Sequence, residues 1–548
     1  MAAVTDADAR PRERSLRPRS PWSPLRAPTF RNLLIADVLS DVGTFMQSVG
    51  AAWLMVSFGA GPMYVALTQT ASSLPFFLLA LPAGSIGDIV DRRRLILVTE
   101  TWMVGVTTLL AVLTIAGTMT PWLLLALTFA ISAGDALEQP TWRAILPEVV
   151  PRADLAAASA LNGIEFNLAR AVGPALAGAL IAATDVGAAF VVNAVSFLGV
   201  IWVVARWKRP PQPHIVPAET LTGATVAAVR YVRHSSAISG LAARSAVVML
   251  FASAVLALLP TVAQRVGTSS FAYGFLLGCF GAGAIVGAVL MPRARARWST
   301  DAVVATAIAT LGVTVALTGI ARALSMLGLL MVVAGGAWIT FISLFSALVQ
   351  SMAPDWVRAR VLAIFMLSFQ GGIAAGSALW GLLGEWAGVP TALVCAGVSC
   401  VAAAVFGLFW RLPLAPADVS PWDHWRMPAV LEDLEVDLDD GPVLVTVEYV
   451  VDADHARAFV YAMQEYEQVR RRDGASRWGL YHDTEVADRY IETFLVGSWA
   501  EHLRQHTRLT QADRALEERV YALVREQPRV QHLIDARQAV AVHEPSHD

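Results

Sequence analysis

Gly84-Ser-Ile-Gly87-Asp88-Ile-Val-Asp91-Arg92-Arg93-Arg94 closes one long apolar run and is followed at once by another. Its pattern returns 203 residues later without a gap: Gly84 maps to Gly287, Arg92 to Arg295 and Arg94 to Arg297. The same offset carries Pro151 to Pro354, Gly173 to Gly376, Gly178 to Gly381, Trp207 to Trp410 and Lys208 to Arg411. A single glycine match would mean little. An Arg pair, a Pro, a Gly pair and a Trp-basic dipeptide in one register imply that a unit of six apolar segments is duplicated as a parallel repeat, an arrangement that lets two halves rock about a midplane site.

Composition agrees. The 548 residues are 56% hydrophobic and 16% charged, with a mean hydropathy of +0.54, which excludes a simple soluble enzyme. Roughly 20 apolar residues cross a bilayer as a helix, and twelve such runs are expected at about 33-57, 63-86, 95-117, 121-140, 155-183, 188-206, 239-263, 272-291, 302-321, 325-350, 361-384 and 389-410. The first is too long for a signal peptide and is expected to stay as an anchor. The expected organisation is an Arg- and Pro-rich tail at 1-30, six-helix bundles at 31-206 and 239-411, a connector at 207-238, an acidic linker at 412-440 and a soluble α+β domain at 441-548. The connector begins Trp207-Lys-Arg-Pro-Pro and permits a short amphipathic helix over Thr222 to Val232; it is read as a tether.

The net charge of -3 conceals an asymmetry: residues 412 to 548 carry -12 and the rest +9. Arginines cluster before the first run and after the even-numbered ones, whereas the opposite loops hold only Arg265 and Arg322. Both termini are therefore expected in the cytoplasm by the positive-inside rule. Cys279, Cys395 and Cys400 lie in apolar runs without disulfide or metal spacing.

The loop Gly84 to Arg94 resembles that between helices 2 and 3 of the major facilitator superfamily, G-x-x-x-D-R-x-G-R-R. Gly84, Asp88, Arg92 and Arg93 match, while Ile89 and Asp91 replace its first Arg and second Gly. The resemblance implies a twelve-helix transporter fold in which Asp88 helps lock the cytoplasmic side. Arg170-Ala-Val-Gly173-Pro174-Ala-Leu-Ala177-Gly178 resembles the G-P-x-x-G-G element of proton-driven exporters, with Ala177 for one Gly. Such a helix can bend and pack closely against a partner from the other half. The runs Ser40 to Gln47, Gly134 to Pro140 and Phe190 to Phe197 are similar to the enterobactin-exporter-like branch, the transmembrane secretion effectors. That branch implies efflux of small molecules, siderophores among them; a bacterial inner membrane, with lipid, substrate and protons as partners, is expected, and with no GxGxxG, Walker or CxxC motif no cofactor or nucleic acid is expected.

Ionisable groups at membrane depth are functional candidates by default. Those singled out are Asp37 and Asp41 in the first run, Asp135 and Glu138 in the fourth, and Glu165 and Arg170 in the fifth. Arg170 is expected to meet Asp135 or Glu138, and Asp135, Glu138, Glu165 or Asp41 to carry a coupled proton or to form a structural ion pair. Gln47, Gln69, Asn162, Asn167, Asn193 and Gln370 can line a cavity or bond across helices.

The tail reads β-α-β-β-α, with strands at Val443 to Val450, Ser476 to His482 and Tyr490 to Gly497. It resembles a ferredoxin-like module of the antibiotic-biosynthesis-monooxygenase type, which implies self-association through its sheet. A membrane-anchored monooxygenase and a proton-coupled importer are the alternatives to export. His502 and His506 have helical metal-ligand spacing, but no third ligand stands nearby in sequence. They are expected to form a solvated helix face, and no metal site is expected.

Overall fold

A computed structural model describes residues 20–207, 221–267, 269–409, 418–422 and 437–534, and only the backbone of residues 80, 81, 84, 85, 87–89, 152, 221, 222, 224, 408 and 507. The first half contains α1 (Pro28–Ser57), α2 (Pro62–Ile89), α3 (Arg92–Ile115), α4 (Pro121–Val149), α5 (Leu155–Ala183) and α6 (Val186–Arg206). A connector helix, α7 (Leu221–Arg233), leads to α8 (Ser236–Ala252), α9 (Ala254–Val266), α10 (Ser270–Arg297), α11 (Thr300–Ile320), α12 (Leu324–Met352), α13 (Arg358–Ala387) and α14 (Val389–Phe409). Among the described residues, ten helices are long and apolar enough to cross a membrane by length and composition, α8 and α9 counting as one. The other two long helices, α1 and α2, are not in that set. Asp37, Asp41 and Gln47 dilute α1, and α2 includes residues whose side chains the structure does not describe.

The repeat reappears in the packing. In the first half α2 lies on α4, α3 on α6, and α1 on α5 and α6. At the equivalent places α10 lies on α12, α11 on α14, and α8 on α13 and α14. Two related pairs, α2 with α13 and α5 with α10, join the halves.

Helix ends overrun the expected spans where charge stops hydropathy but not hydrogen bonding. Thus α4 continues past Pro140 and Pro147 to Val149. Prolines are tolerated inside such helices because neighbouring groups satisfy the freed carbonyls. The same logic governs the break between α8 and α9, where the Leu250 carbonyl accepts from the Ser253 hydroxyl at 3.1 Å and from Trp380 Nε1 on α13 at 2.7 Å.

The C-terminal domain contains β1 (Val443–Val450), α15 (Ala456–Asp473), β2 (Ser476–His482), β3 (Arg489–Val496), α16 (Trp499–Arg508), α17 (Gln511–Tyr521) and β4 (Arg529–Ile534). The strands pair antiparallel in the order β2-β3-β1-β4. Val443, Val445, Val447 and Tyr449 alternate inward from β1 and meet Phe459, Met463 and Tyr466 of α15 in a core of its own. β4 lies outside the sequence expectation: Arg-Val-Gln-His-Leu-Ile is a short edge strand whose polar residues hide the alternation.

The connector is more than a tether. α15 packs on α7, the Tyr231 ring of α7 stands edge-on to Trp356 at 5.7 Å, and the Arg472 guanidinium of the domain lies 5.2 Å from the Tyr231 ring. The N-terminal tail to residue 19, the first part of the connector and most of the acidic linker lie outside the described residues.

Candidate functional site

Carboxyl groups on four helices of the first half gather into two pairs. Glu138 of α4 accepts the Thr99 hydroxyl of α3 and faces Glu100, also on α3, within side-chain hydrogen-bond reach. Both are buried, at 7% and 3% exposure. Asp41 of α1 is likewise within hydrogen-bond reach of Glu165 on α5. An ionised carboxylate has no donor, so two carboxyl groups can hydrogen-bond only with a proton between them.

Close by, Asp37 accepts from Trp142 Nε1 at 3.0 Å and shares a crevice between α1, α4 and α5 with Asn162. The cation that Asp135 feels is Arg143, two turns along α4. Arg170 departs from expectation. Among the described residues it makes no ion pair with Asp135 or Glu138; α5 turns it toward the second half, with its guanidinium carbon 5.4 Å from the Phe280 ring centroid on α10. Glu100 is a residue that sequence reading passed over, although the rule that flagged the other acids applies equally to it.

Two expected cavity residues belong to helix packing. Gln47 Oε1 accepts from Asn193 Nδ2 at 2.6 Å and from the Thr107 hydroxyl at 3.3 Å, tying α1 to α6 and α3. With Gln47 6% and Asn193 0% exposed, neither presents a face to a solute in this conformation. Gln69 reaches Ser73 within α2, Asn167 bonds to Gly163 of its own helix, and Gln370 is half-buried on α13.

At the junction of α2 and α3, Asp91 caps α3 by accepting from the Arg94 amide at 2.9 Å. Arg92 donates to Glu148 at 2.8 Å and to the Ala144 carbonyl at 2.9 Å, while Arg93 donates to the Val204 and Ala205 carbonyls that end α6. Both arginines thus clamp helix ends within the first half. The side chain of Asp88 and the surroundings of Gly84 lie outside the described residues.

The halves touch along small residues. A Cβ at Gly178 would meet Gly274 Cα and the Ser270 carbonyl at 3.1 Å, and Gly274 leaves equally little room beside Pro174. Gly173 instead faces α1, where a Cβ would meet Phe45 at 2.8 Å. One helical face of α5 (Gly178, Pro174, Ala171) therefore seals against Gly274, Gly278 and Gly281 of α10. On the following turns Leu168 and Ile164 of α5 and Ile285 and Val289 of α10 are exposed. On the other side Gly381 lies against Ala66 and Met63, the Thr70 hydroxyl donates to the Ala374 carbonyl at 3.0 Å, and Gly371 lies against Phe77. The described contacts between the halves thus run from the end where α2 and α10 begin to about the middle of these helices.

The family model for transmembrane secretion effectors matches residues 19–539. The chain belongs to this family. Among curated relatives, the staphyloferrin A transporter of Staphylococcus aureus is 27% identical over 164 residues, covering 30% of this chain and 41% of that protein. The enterobactin exporter EntS of Citrobacter koseri is 26% identical and covers 71% of this chain and 92% of its own length; the multidrug efflux pump Tap of Mycolicibacterium fortuitum is 24% identical, covering 65% and 89%. The first of these matches thus spans only about two-fifths of the relative's length. Among solved structures, a nucleoside transporter NupG variant aligns with a TM-score of 0.58 at 13% identity, covering 70% of this chain and 99% of that one. A bacterial homolog of the lysosomal transporter Spinster, in an inward-facing and unoccupied conformation, gives 0.55 at 14% identity, covering 70% and 95%. These likenesses establish a major-facilitator-type fold. The family and these relatives are membrane transporters, not enzymes, and this secretion effector is a multi-pass protein of the bacterial inner membrane.

In the effector's C-terminal domain, His502 and His506 depart from the expected solvated face. His502 is 3% exposed, its Nε2 lies 3.2 Å from His506 Nε2, and β4 brings His532 alongside, with ring centroids of His502 and His532 4.6 Å apart. Burial, reinforced by neighbouring positive groups, lowers His502 to about 4 and His506 to about 3, so both imidazoles are neutral at physiological pH. Their third companion was illegible because it sits 26 residues beyond His506 on the unexpected strand.

Proposed function

We propose that this secretion effector is a secondary-active exporter of small molecules, siderophores, drugs or secondary metabolites, working by alternating access with proton antiport. The carrying observation is the pair of α2–α13 and α5–α10 seams of small residues that join the two halves, because a site between two rocking halves needs interfaces that can open and close. The paired carboxyl groups supply the coupling: proton entry joins Glu100 to Glu138 or Asp41 to Glu165, and proton loss separates helices of the first half. Asp135 is the further acid within the same group of helices, and Gly84, Asp88, Arg92 and Arg93 form the cytoplasmic hinge and lock.

In this reading α1 and α2 complete twelve spans, and the arginine asymmetry puts both termini in the cytoplasm and the end where α2 and α10 begin on the other side. The tail is read as ferredoxin-like from its strand order and pairing, and as the element through which copies self-associate. Relatives that carry staphyloferrin A, enterobactin and drugs support export of such compounds. The test is accumulation of labelled siderophore or drug by inside-out vesicles under an imposed proton gradient. Gradient-driven accumulation only in right-side-out vesicles would make the protein an importer.

A further inference from the structure

We propose that His502, His506 and His532 form a binding site for one divalent d-block cation of the zinc class in the C-terminal domain. The four-residue spacing puts His502 and His506 on one face of α16. β4 pairs with β1 so that His532 stands opposite Val445, beneath that face. One ring nitrogen from each histidine lies within 4.8 Å of the other two, and the two nitrogens from α16 are 3.2 Å apart. Nitrogens bound tetrahedrally at the usual zinc distance lie about 3.4 Å from one another, so one edge of the polyhedron is already formed and the third ligand needs only a small ring movement.

Two further observations point to a ligand. His532 Nε2 is buried without a hydrogen-bond partner, a costly state that a bound cation removes. A hydrogen bond between His502 and His506 alone leaves that nitrogen unsatisfied. In addition, His502 Nδ1 stands 3.2 Å from Gln505 Oε1; as donor to that oxygen it leaves Nε2 as the free lone pair, the outer-shell arrangement that orients metal-binding imidazoles. Three imidazole nitrogens select zinc, nickel, copper or cobalt over magnesium, calcium or manganese, which prefer oxygen. The nearby Arg470 is held by Glu492 at 3.1 Å and so presents a neutralised pair. The same site opens to a cavity lined by Asp473 and Gln505, which leaves a fourth position for water or a chelated solute. α16 also carries Glu501 and Arg508, which reach Arg230 and Trp356 of the transporter body, so an ion here braces the helix by which the domain is held.

The experiment titrates the full chain in detergent with Co²⁺, read by its visible ligand-field absorption, and with Zn²⁺ in competition. Wild type is expected to bind one Co²⁺ with a four- or five-coordinate spectrum that zinc abolishes. His532→Ala and His506→Ala should each weaken binding by about 100-fold, with folding checked by circular dichroism, whereas exposed His455→Ala should bind as wild type. Equal affinity in wild type and in both ligand variants, or an octahedral all-oxygen spectrum in wild type, overturns the site. Because binding is read without transport, the result is independent of the export reading.

Discussion

Arg230 on the connector helix donates to Glu501 of the C-terminal domain at 2.7 Å, and Arg508 donates to the same carboxylate at 2.7 Å. Burial alone would raise Glu501, but Arg508, Arg230 and Arg504 outweigh it and hold the group below its ordinary value. Arg508 also lies 4.4 Å from the Trp356 ring at the turn between α12 and α13. A domain that the sequence places after a long acidic linker is thereby fixed to the connector helix and to the second half, where movement of α13 can reach it.

Arg230→Ala should therefore release the domain without unfolding it. Losing a charge-assisted hydrogen bond of this kind costs about 1.5 to 3 kcal/mol, less whatever the partly exposed pair gives up to solvent. Hydrogen exchange should rise roughly 5- to 30-fold at α7 and on the facing side of α16, with no change in the strands. Unchanged exchange at α7 would mean that the contact does not hold the domain.

The acid pairs predict a separable phenotype. Glu100→Gln or Glu138→Gln keeps shape and hydrogen bonding but removes the exchangeable charge, so the variant should bind and exchange substrate while losing its response to an imposed pH gradient. Asp41→Asn and Glu165→Gln test the second pair in the same assay. If all four variants retain gradient-driven accumulation, the pairs are structural and coupling lies elsewhere.

Why Glu100 escaped sequence reading while Glu138 did not is physically instructive. Hydropathy registers that an acid sits in an apolar run, and Glu100 is as visible as Glu138 by that measure; which acid it opposes depends on the packing of α3 on α4. The repeat, most helix limits and the carboxylate-bearing helices were legible because burial in lipid forces long uninterrupted patterns. Arg170 was misplaced because its direction around α5 depends on how far the second half leans in, and the spacing to Asp135 carries no such information. His532 and β4 were hidden for a different reason: an edge strand half open to solvent need not alternate.

Where α10 begins, the contact of Gly178 with Gly274 leaves no room for a branched side chain. Gly178→Leu should force α5 from α10 and shift the population toward opening there. In a background with Cys279, Cys395 and Cys400 replaced by Ser, a Ser270→Cys thiol, buried in this conformation, should react slowly with a membrane-impermeant maleimide. The added Gly178→Leu change should make it react fast. Equal slow labelling in both would show that α5 and α10 yield locally and that the seam does not gate the end.

Within the C-terminal domain, Glu492 has 0% exposure and accepts from Arg470 Nε at 3.1 Å, the Tyr449 hydroxyl at 2.9 Å and Trp478 Nε1 at 2.8 Å. Arg470 is further enclosed by the rings of Tyr466 and Phe494 at 4.7 and 5.0 Å. Removing one member of a buried pair strands the other charge, so Glu492→Leu should destabilise the domain by about 3 to 5 kcal/mol, enough to lower its midpoint by more than about 10 °C. Near-ultraviolet circular dichroism of Trp478 would follow that transition. The double change Arg470→Met with Glu492→Leu removes both charges, and a buried pair replaced by apolar side chains is often neutral. It should recover most of the loss, although Tyr449 and Trp478 still lack an acceptor. A double variant as unstable as Glu492→Leu alone would place the cost in those two orphaned donors and not in the stranded guanidinium.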